Sequence, residues 1–108
     1  MERLDPTTPA ADFPISVDFS DIIGKFVAGT VLQAIAVTIV ATPGTGSDPT
    51  PSDRLEGAPV IDVTSKIASQ RFKAPVAGVR YILTFDPTFT NGAYHLPICV
   101  EIACEATV

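Results

Sequence analysis

The chain has 108 residues, the length of a single domain. It carries 7 Lys and Arg against 12 Asp and Glu, and the formal net charge of -5 argues against a nucleic-acid groove or an anionic membrane surface, which both need clustered basic side chains. Hydrophobic residues make up 46% of the chain and charged residues only 18%, which excludes disorder and leads us to expect that partner proteins cover part of the surface.

Residues 1–14 are interpreted as a flexible or partner-tethered arm, and residues 15–108 as the folded domain. The first residues, MERLDPTTPAAD, contain charges and prolines but no apolar segment of the kind that a secretory signal requires. The longest apolar stretch, residues 27–41, is interrupted by polar residues and is shorter than the ~20 residues of a spanning helix. We therefore expect no membrane role.

Alternating apolar and polar residues predict strands, and no segment shows the sustained period of 3.6 residues that is typical of an amphipathic helix. Ile15, Val17 and Phe19 alternate with polar residues and predict a first strand with one buried face. Residues 31–41 are apolar on both faces, which predicts a strand that is central in its sheet or is covered by a neighbouring subunit.

Residues 42–59, TPGTGSDPTPSDRLEGAP, predict one long loop because they are rich in Pro, Gly, Ser and Asp. A loop longer than ~12–15 residues is usually functional or disordered. We expect this loop and the N-terminal arm to become ordered against neighbouring proteins. Its acidic residues Asp48, Asp53 and Glu56 match no calcium-loop spacing and are interpreted as solvated side chains.

The last third of the chain predicts a β-hairpin whose register can be worked out. Asn91-Gly92 favours a two-residue turn with positive φ at both positions. With this turn, each apolar residue of the first strand opposes an apolar residue of the second, and a shift of one residue would destroy the match. Pro87 and Pro97 cannot donate to the ladder, so we expect the hairpin to loosen near its tip. The predicted apolar pairs are Phe85 with Ile98, Leu83 with Val100, and Tyr81 with Ile102.

Together these segments predict an all-β fold, an immunoglobulin-like β-sandwich with a flexible N-terminal arm and one long loop rich in Pro and Gly. Residues 78–81, Gly-Val-Arg-Tyr, stand at the start of a strand and resemble a tyrosine corner, in which a phenol hydrogen-bonds the backbone a few residues upstream. Gly78, Tyr81, Asn91 and Gly92 are therefore the predicted structural residues.

The residues with reactive side chains form no recognisable catalytic or metal-binding arrangement. The single histidine, His95, opposes Thr88 in the predicted hairpin rather than a carboxylate. Cys99 and Cys104 fall on opposite faces of one strand, which predicts two reduced, packed thiols. We expect no enzyme activity, no cofactor and no metal.

The segment from Val63 to Ile102 resembles the C-terminal half of small immunoglobulin-like virion proteins of tailed bacteriophages, which include neck, head–tail and fibre–tail adaptors. The chain departs from that family because it lacks the usual Trp near the start and carries a long Pro-rich loop. The resemblance lies in a strand with Thr and Ser, the pattern Gly-Val-x-Tyr-x-Leu, a polar turn with Gly and a closing apolar strand, here Thr64, Ser69, Gly78, Val79, Tyr81, Leu83, Asn91, Gly92 and residues 98–102.

The resemblance implies a structural role in the virion, with the protein assembled in the cytoplasm of a bacterial host. Such an adaptor cements the connector to fibres or tail, and its copies form a symmetric ring. Its partners would be the portal or connector ring, tail or fibre proteins and further copies of itself. A capsid decoration protein and a carbohydrate-binding module are the alternatives. With no Trp and two Tyr, the chain offers little for an aromatic sugar platform.

Eight residues are predicted to lie at the interface with these partners. Three phenylalanines fall near strand ends or turns, where they could anchor a contact. Four basic residues around one strand and turn, Lys66, Arg71, Lys73 and Arg80, could form a rim that meets an acidic neighbour. The predicted interface residues are Phe13, Phe26, Val31, Arg54, Leu55, Arg71, Arg80 and Phe89.

Overall fold

A computed structural model describes residues 2–4, 7, 11–20, 32–62, 66–89 and 96–104. Phe26, Val31, Asn91 and Gly92 lie outside these ranges. The described residues form seven strands and one 3₁₀ turn, Pro51–Arg54. The strands are β1 (Glu2–Arg3), β2 (Asp12–Asp18), β3 (Leu32–Pro43), β4 (Leu55–Asp62), β5 (Ile67–Lys73), β6 (Val79–Phe89) and β7 (Ile98–Ala103).

The strands form two sheets that face each other. One sheet has the order β1-β7-β6-β3 and the other the order β2-β5-β4. β1 runs parallel to β7, and the other described pairings are antiparallel. Among the described strands the chain changes sheet after β1, β2, β3 and β5, whereas β4–β5 and β6–β7 are neighbours within one sheet. The predicted all-β sandwich is confirmed.

The β6–β7 pairing has the register predicted from the apolar alternation. Tyr81 faces Ile102, Leu83 faces Val100 and Phe85 faces Ile98. These side chains point into the sandwich, while the alternate residues point outward. The described pairing stops before Pro87 and Pro97, in agreement with the expected loosening of the hairpin. The Asn91-Gly92 turn itself lies outside the described residues.

Aromatic side chains from both sheets fill the space between them. Phe72 on β5 and Tyr81 on β6 meet edge to face, with ring centroids 5.4 Å apart. Phe19 and Phe89 make a similar contact at 6.5 Å. Full burial of one such side chain contributes about 1.5–3 kcal/mol. Phe89 is only 1% exposed, so it belongs to the core, and its prediction as an interface residue is wrong.

β3 is the last strand of its sheet in the described part of the chain, and the prediction of a central strand is therefore wrong for the described pairings. It pairs with β6 from Leu32 to Pro43, with one irregularity near its start. Its inward residues are only half-buried, and most of its outward residues are exposed. A strand that is apolar on both faces has the same sequence pattern whether a sheet or a partner protein covers its outer face.

The connection between the two sheets is shorter than predicted. β3 extends through Pro43 and β4 already begins at Leu55, so residues 44–50 and the 3₁₀ turn form the whole link. Gly57 and Pro59 made the first residues of β4 look like part of the loop. The sheet accommodates them at a register irregularity between Glu56 and Val60, as is typical of edge strands.

The described residues of the predicted arm pair with the domain. β1 lies beside β7, and the Leu4 backbone N–H donates to Glu101 O at 2.8 Å. Thr7 forms a bridge to Cys104. β2 begins at Asp12, so the predicted boundary after residue 14 falls inside a strand. The predicted first strand began only after Pro14. β2 contains this proline because an edge strand tolerates proline.

Candidate interaction surface

The outer side of β3 and the adjacent part of β6 form an exposed surface without charge. Because side chains alternate along a strand, the even-numbered residues from 34 to 42 point away from the core, past the register irregularity that follows the buried Leu32. In the antiparallel register Val40 lies beside Ile82 and Thr38 beside Thr84, so the two strands share this surface. Val40 is 61% exposed. We call this surface the β3 face: Ala34, Ala36, Thr38, Val40, Thr42, Ile82 and Thr84.

Charged residues stand at both ends of the β3 face. Arg80 pairs with Thr42 in the register, and Asp86 pairs with Ala36. The Arg80 guanidinium Nε lies 3.4 Å from Glu101 Oε1 on the neighbouring strand β7. The surface thus has the anatomy of a protein contact, with apolar and hydroxyl-bearing groups in the middle and charges at the rim.

Tyr81 forms the predicted tyrosine corner. The Val76 backbone N–H donates to the phenol oxygen at 2.9 Å, and the phenol donates to Asp48 Oδ2 at 2.8 Å. Burial, with a smaller contribution from the neighbouring Asp48 carboxylate, raises the pKa of Tyr81 to about 12. The corner thereby ties the turn before β6 to the link between the sheets.

Asp48 was predicted to be a solvated loop residue, and the structure shows that this was wrong. Its side chain is 2% exposed, and its Oδ1 accepts a hydrogen bond from the Thr50 backbone at 3.0 Å. Sequence reasoning missed this role because Asp48 and Tyr81 are separated by 33 positions.

Arg54 points inward from the link and does not extend toward a partner. One guanidinium N–H donates to Ala74 O, and Nε lies 3.9 Å from Asp48 Oδ2. Nε is buried without a hydrogen-bond partner. The side chain is 18% exposed, so its prediction as an interface residue is not supported by its position. Residues 44–54 are held against the domain by this contact and by Tyr81.

The two arginines of the predicted rim are exposed but form ion pairs within the chain. The Arg71 Nε lies 2.8 Å from Asp12 and 3.6 Å from Glu56. Its side chain is 50% exposed, and that of Arg80 is 57% exposed. Exposed pairs of this kind contribute little to stability, about 0–1 kcal/mol. They also neutralise the charge that an acidic neighbour would meet.

The predicted apolar anchors lie on the core rather than in one surface cluster. Phe13 is half-buried and meets Phe72 edge to face at 5.8 Å. Leu55 is also half-buried and packs against the core. The structure therefore does not bring the described residues of the predicted interface together, and only Arg80 lies next to the β3 face, beside Thr42.

Gly78 has the structural role that was predicted for it. Its φ is +79°, in the left-handed region that favours glycine, and a Cβ there would overlap Thr45 Oγ1. The Gly46 backbone N–H donates to Gly78 O at 3.3 Å. The turn before β6 and the link after β3 thus touch at a point where only glycine fits.

Two cavities lie along the described surface. One of about 410 Å³ is lined by residues 42–45, 78–80 and 103–104. Its one charged side chain, Arg80, already pairs with Glu101. Burial raises the pKa of the Cys104 thiol, which lowers its reactivity. The other, about 430 Å³, lies between β1 and β2 and is mostly apolar.

Cys104 is buried and Cys99 half-buried, and no disulfide joins them. Within the described ranges, no three His, Cys, Asp or Glu side chains are placed so that they could hold a metal ion. The described part of the chain also contains no helix long and apolar enough to cross a membrane.

No model of a known protein family matches the chain, and a search of curated proteins finds no match. The resemblance to phage virion proteins stays a prediction that rests on residues 63–102.

Proposed function

We propose that the chain is a structural adaptor of a tailed-bacteriophage virion, at the neck or tail, where it joins the connector to fibre or tail proteins. The observation that supports this most directly is the β3 face, whose exposed part consists of Ala, Val and Thr side chains on the last described strand of a sheet. Such a patch on a small acidic domain is typical of a surface that partner proteins cover.

The chemistry of the β3 face suits cementing rather than catalysis. Burying apolar area contributes roughly 25 cal/mol per Å² before the costs of association are subtracted. Because the face carries no charge, a partner can cover it without the penalty of desolvating an unpaired ion. Threonine hydroxyls can still hydrogen-bond to a partner or to bridging water.

The tyrosine corner and the half-buried Arg54 stabilise the segment that follows β3. They hold the link between the sheets against the domain, so little of this link needs to become ordered when a partner binds. A preorganised surface loses less conformational entropy on association. The sequence led us to expect that residues 42–59 contact neighbouring proteins. In this proposal the β3 face makes that contact instead.

The test is the composition of tailed particles released by a host that carries this gene. We expect quantitative mass spectrometry to find the chain at a fixed ratio to the portal subunits, and imaging of labelled copies to locate it at the neck or tail. If the chain is absent from purified particles, or if labelled copies cover the capsid lattice, the proposal is wrong.

A paired variant separates the β3 face from the rest of the surface. Val40→Asp puts a charge on the face, and we expect at least tenfold fewer copies per particle because the carboxylate would be buried unpaired. Val60→Asp is the matched control, since Val60 is 67% exposed on β4 in the other sheet. Equal incorporation of the two variants would exclude the β3 face as the attachment surface.

A further inference from the structure

The sheet edges of the described domain are protected against strand pairing, with one exception. Natural proteins protect edge strands with charges, prolines, irregular register or short length. β1 is only two residues long. β4 has a register irregularity. The charged residues and prolines of the edge strands β2 and β4 are Asp12, Pro14, Asp18, Glu56, Pro59 and Asp62.

β3 has none of this protection over residues 34–42. Its sequence, LQAIAVTIVATP, contains no charge, its one proline is the last residue, and its pairing with β6 is regular from Ala34 onward. Among the described residues no strand pairs with its other edge. A regular apolar edge of this kind is a template for another strand.

Several inward side chains of β3 are also incompletely buried. Ile35, Val37 and Ile39 point toward the core but are only half-buried, whereas Leu83 and Phe85 on the next strand have no exposed surface. A strand added beside β3 would cover the exposed flanks of these three side chains. Both the backbone groups and the side chains of this edge therefore favour the same occupant, an extended strand.

We propose that this edge pairs with β3 of a second copy of the chain, antiparallel, so that the two four-stranded sheets form one continuous sheet. The inference rests on the proposed role as an assembling subunit and names one of its partners. Two acidic domains, each with a formal charge of -5, repel each other where charged surfaces meet. β3 allows them to meet where neither has a charge.

A two-fold axis at Thr38 gives a pairing in which each side chain finds a compatible partner. The outward residues then face outward residues, so the two β3 faces join into one surface. Thr38 lies opposite its own copy, a favourable cross-strand pair. The other pairs are Val37 with Ile39, Ala36 with Val40, and Ile35 with Ala41.

The size of the contact predicts a weak, reversible dimer. A strand of 12 residues is ~40 Å long, and covering its edge and flanks removes roughly 800–1,000 Å² in total from water. This is at the lower end of specific interfaces. In a particle, contacts of each copy with other virion proteins would act together with this one and make the association stronger.

Sedimentation velocity of the purified chain over a range of concentrations tests the pairing. We expect a monomer–dimer equilibrium for the wild type. Thr38→Lys and Thr38→Asp each place like charges opposite each other, so we expect each variant alone to dimerise at least tenfold more weakly. An equimolar mixture of the two should regain the dimer, because Lys then faces Asp. Val60→Lys on β4 is the control and should dimerise like the wild type.

A second measurement does not depend on charged variants. Thr38→Cys should form a disulfide-linked dimer on mild oxidation, because directly opposite residues have Cβ atoms about 4.5–5.5 Å apart, whereas Val60→Cys should not. A wild type that stays monomeric at all concentrations overturns the inference, as does a Thr38→Lys variant that dimerises normally. A monomeric protein that still enters tailed particles would refute the pairing but leave the proposed function intact.

Discussion

At the scale of single residues, the phenol of Tyr81 joins two segments that are distant in the sequence. It accepts a hydrogen bond from Val76 and donates one to Asp48. The first contact could be predicted because Val76 and Tyr81 are close in sequence and the Gly-Val-x-Tyr pattern indicates the corner. The contact with Asp48 could not be predicted, since the distance between the two side chains depends on how the link between the sheets folds.

Replacing Tyr81 by phenylalanine should destabilise the domain by about 1–3 kcal/mol. The substitution leaves the Val76 N–H and the buried Asp48 carboxylate without their common partner, and unsatisfied buried groups are costly. Urea unfolding monitored by circular dichroism measures the loss. Ser16→Ala is the control, because it removes an exposed hydroxyl hydrogen bond of 2.7 Å to Ser69 and should change stability little. Equal losses in the two variants would contradict the role of the corner.

The same phenol should make stability depend on pH in the alkaline range. The pKa of Tyr81 rises from 10.0 to about 12 on folding. The unfolded chain therefore loses this proton at a lower pH than the folded chain. The contribution of Tyr81 to the free energy of unfolding is fully present below pH 10 and declines as the pH rises toward about 12. We expect this decline in the wild type but not in Tyr81→Phe, measured as urea midpoints across that range. Parallel curves for the two proteins would refute it.

At the scale of elements, the sequence predicts local pairings well and the order of strands across a sheet poorly. The β6–β7 register follows from apolar alternation on two neighbouring segments, so Leu83 was correctly placed opposite Val100. The position of β3 depends on which distant strand pairs with it, and this non-local pairing is not encoded in any short segment. The first residues of β4 were assigned to the loop because Gly57 and Pro59 resemble one.

Two glycines with the same backbone conformation should differ in their tolerance of alanine. Gly78 has φ +79° and Gly57 has φ +73°, but only at Gly78 would a Cβ meet other atoms within 4 Å. We expect Gly57→Ala to cost about 1–2 kcal/mol from backbone strain alone. Gly78→Ala adds the overlap with Thr45 and should cost at least ~2 kcal/mol more. Thermal and urea unfolding of both variants measure the difference, and similar losses would show that the link can move away.

At the scale of the whole molecule, composition predicted that partner proteins cover part of the surface but did not indicate which part. The location depends on β3 lying at the end of its sheet in the described structure, which is a property of the complete strand order. The predicted arm likewise pairs with the domain where it is described, because β7 offers β1 a free edge.

Truncations of two lengths should separate β1 from β2. Removing residues 1–7 deletes β1 and the Thr7 bridge but leaves β2 whole, and we expect the melting temperature to fall by roughly 5–10 °C. Removing residues 1–14 also cuts off the start of β2, including Phe13 and its contact with Phe72. We expect this chain to lose cooperative unfolding in calorimetry. Retention of a sharp transition by the longer deletion would show that the first strands are dispensable.

The parallel pairing of β1 with β7 has a consequence for how the protein folds as it is made. Glu2 and Arg3 leave the ribosome before the other described strands, yet their partners Val100 and Glu101 belong to the last of these strands. β1 must therefore wait until β7 has cleared the exit tunnel, and until then the nascent chain carries an unpaired β6 edge as well. Translation that pauses before β7 would expose this edge to other nascent chains on the same messenger RNA.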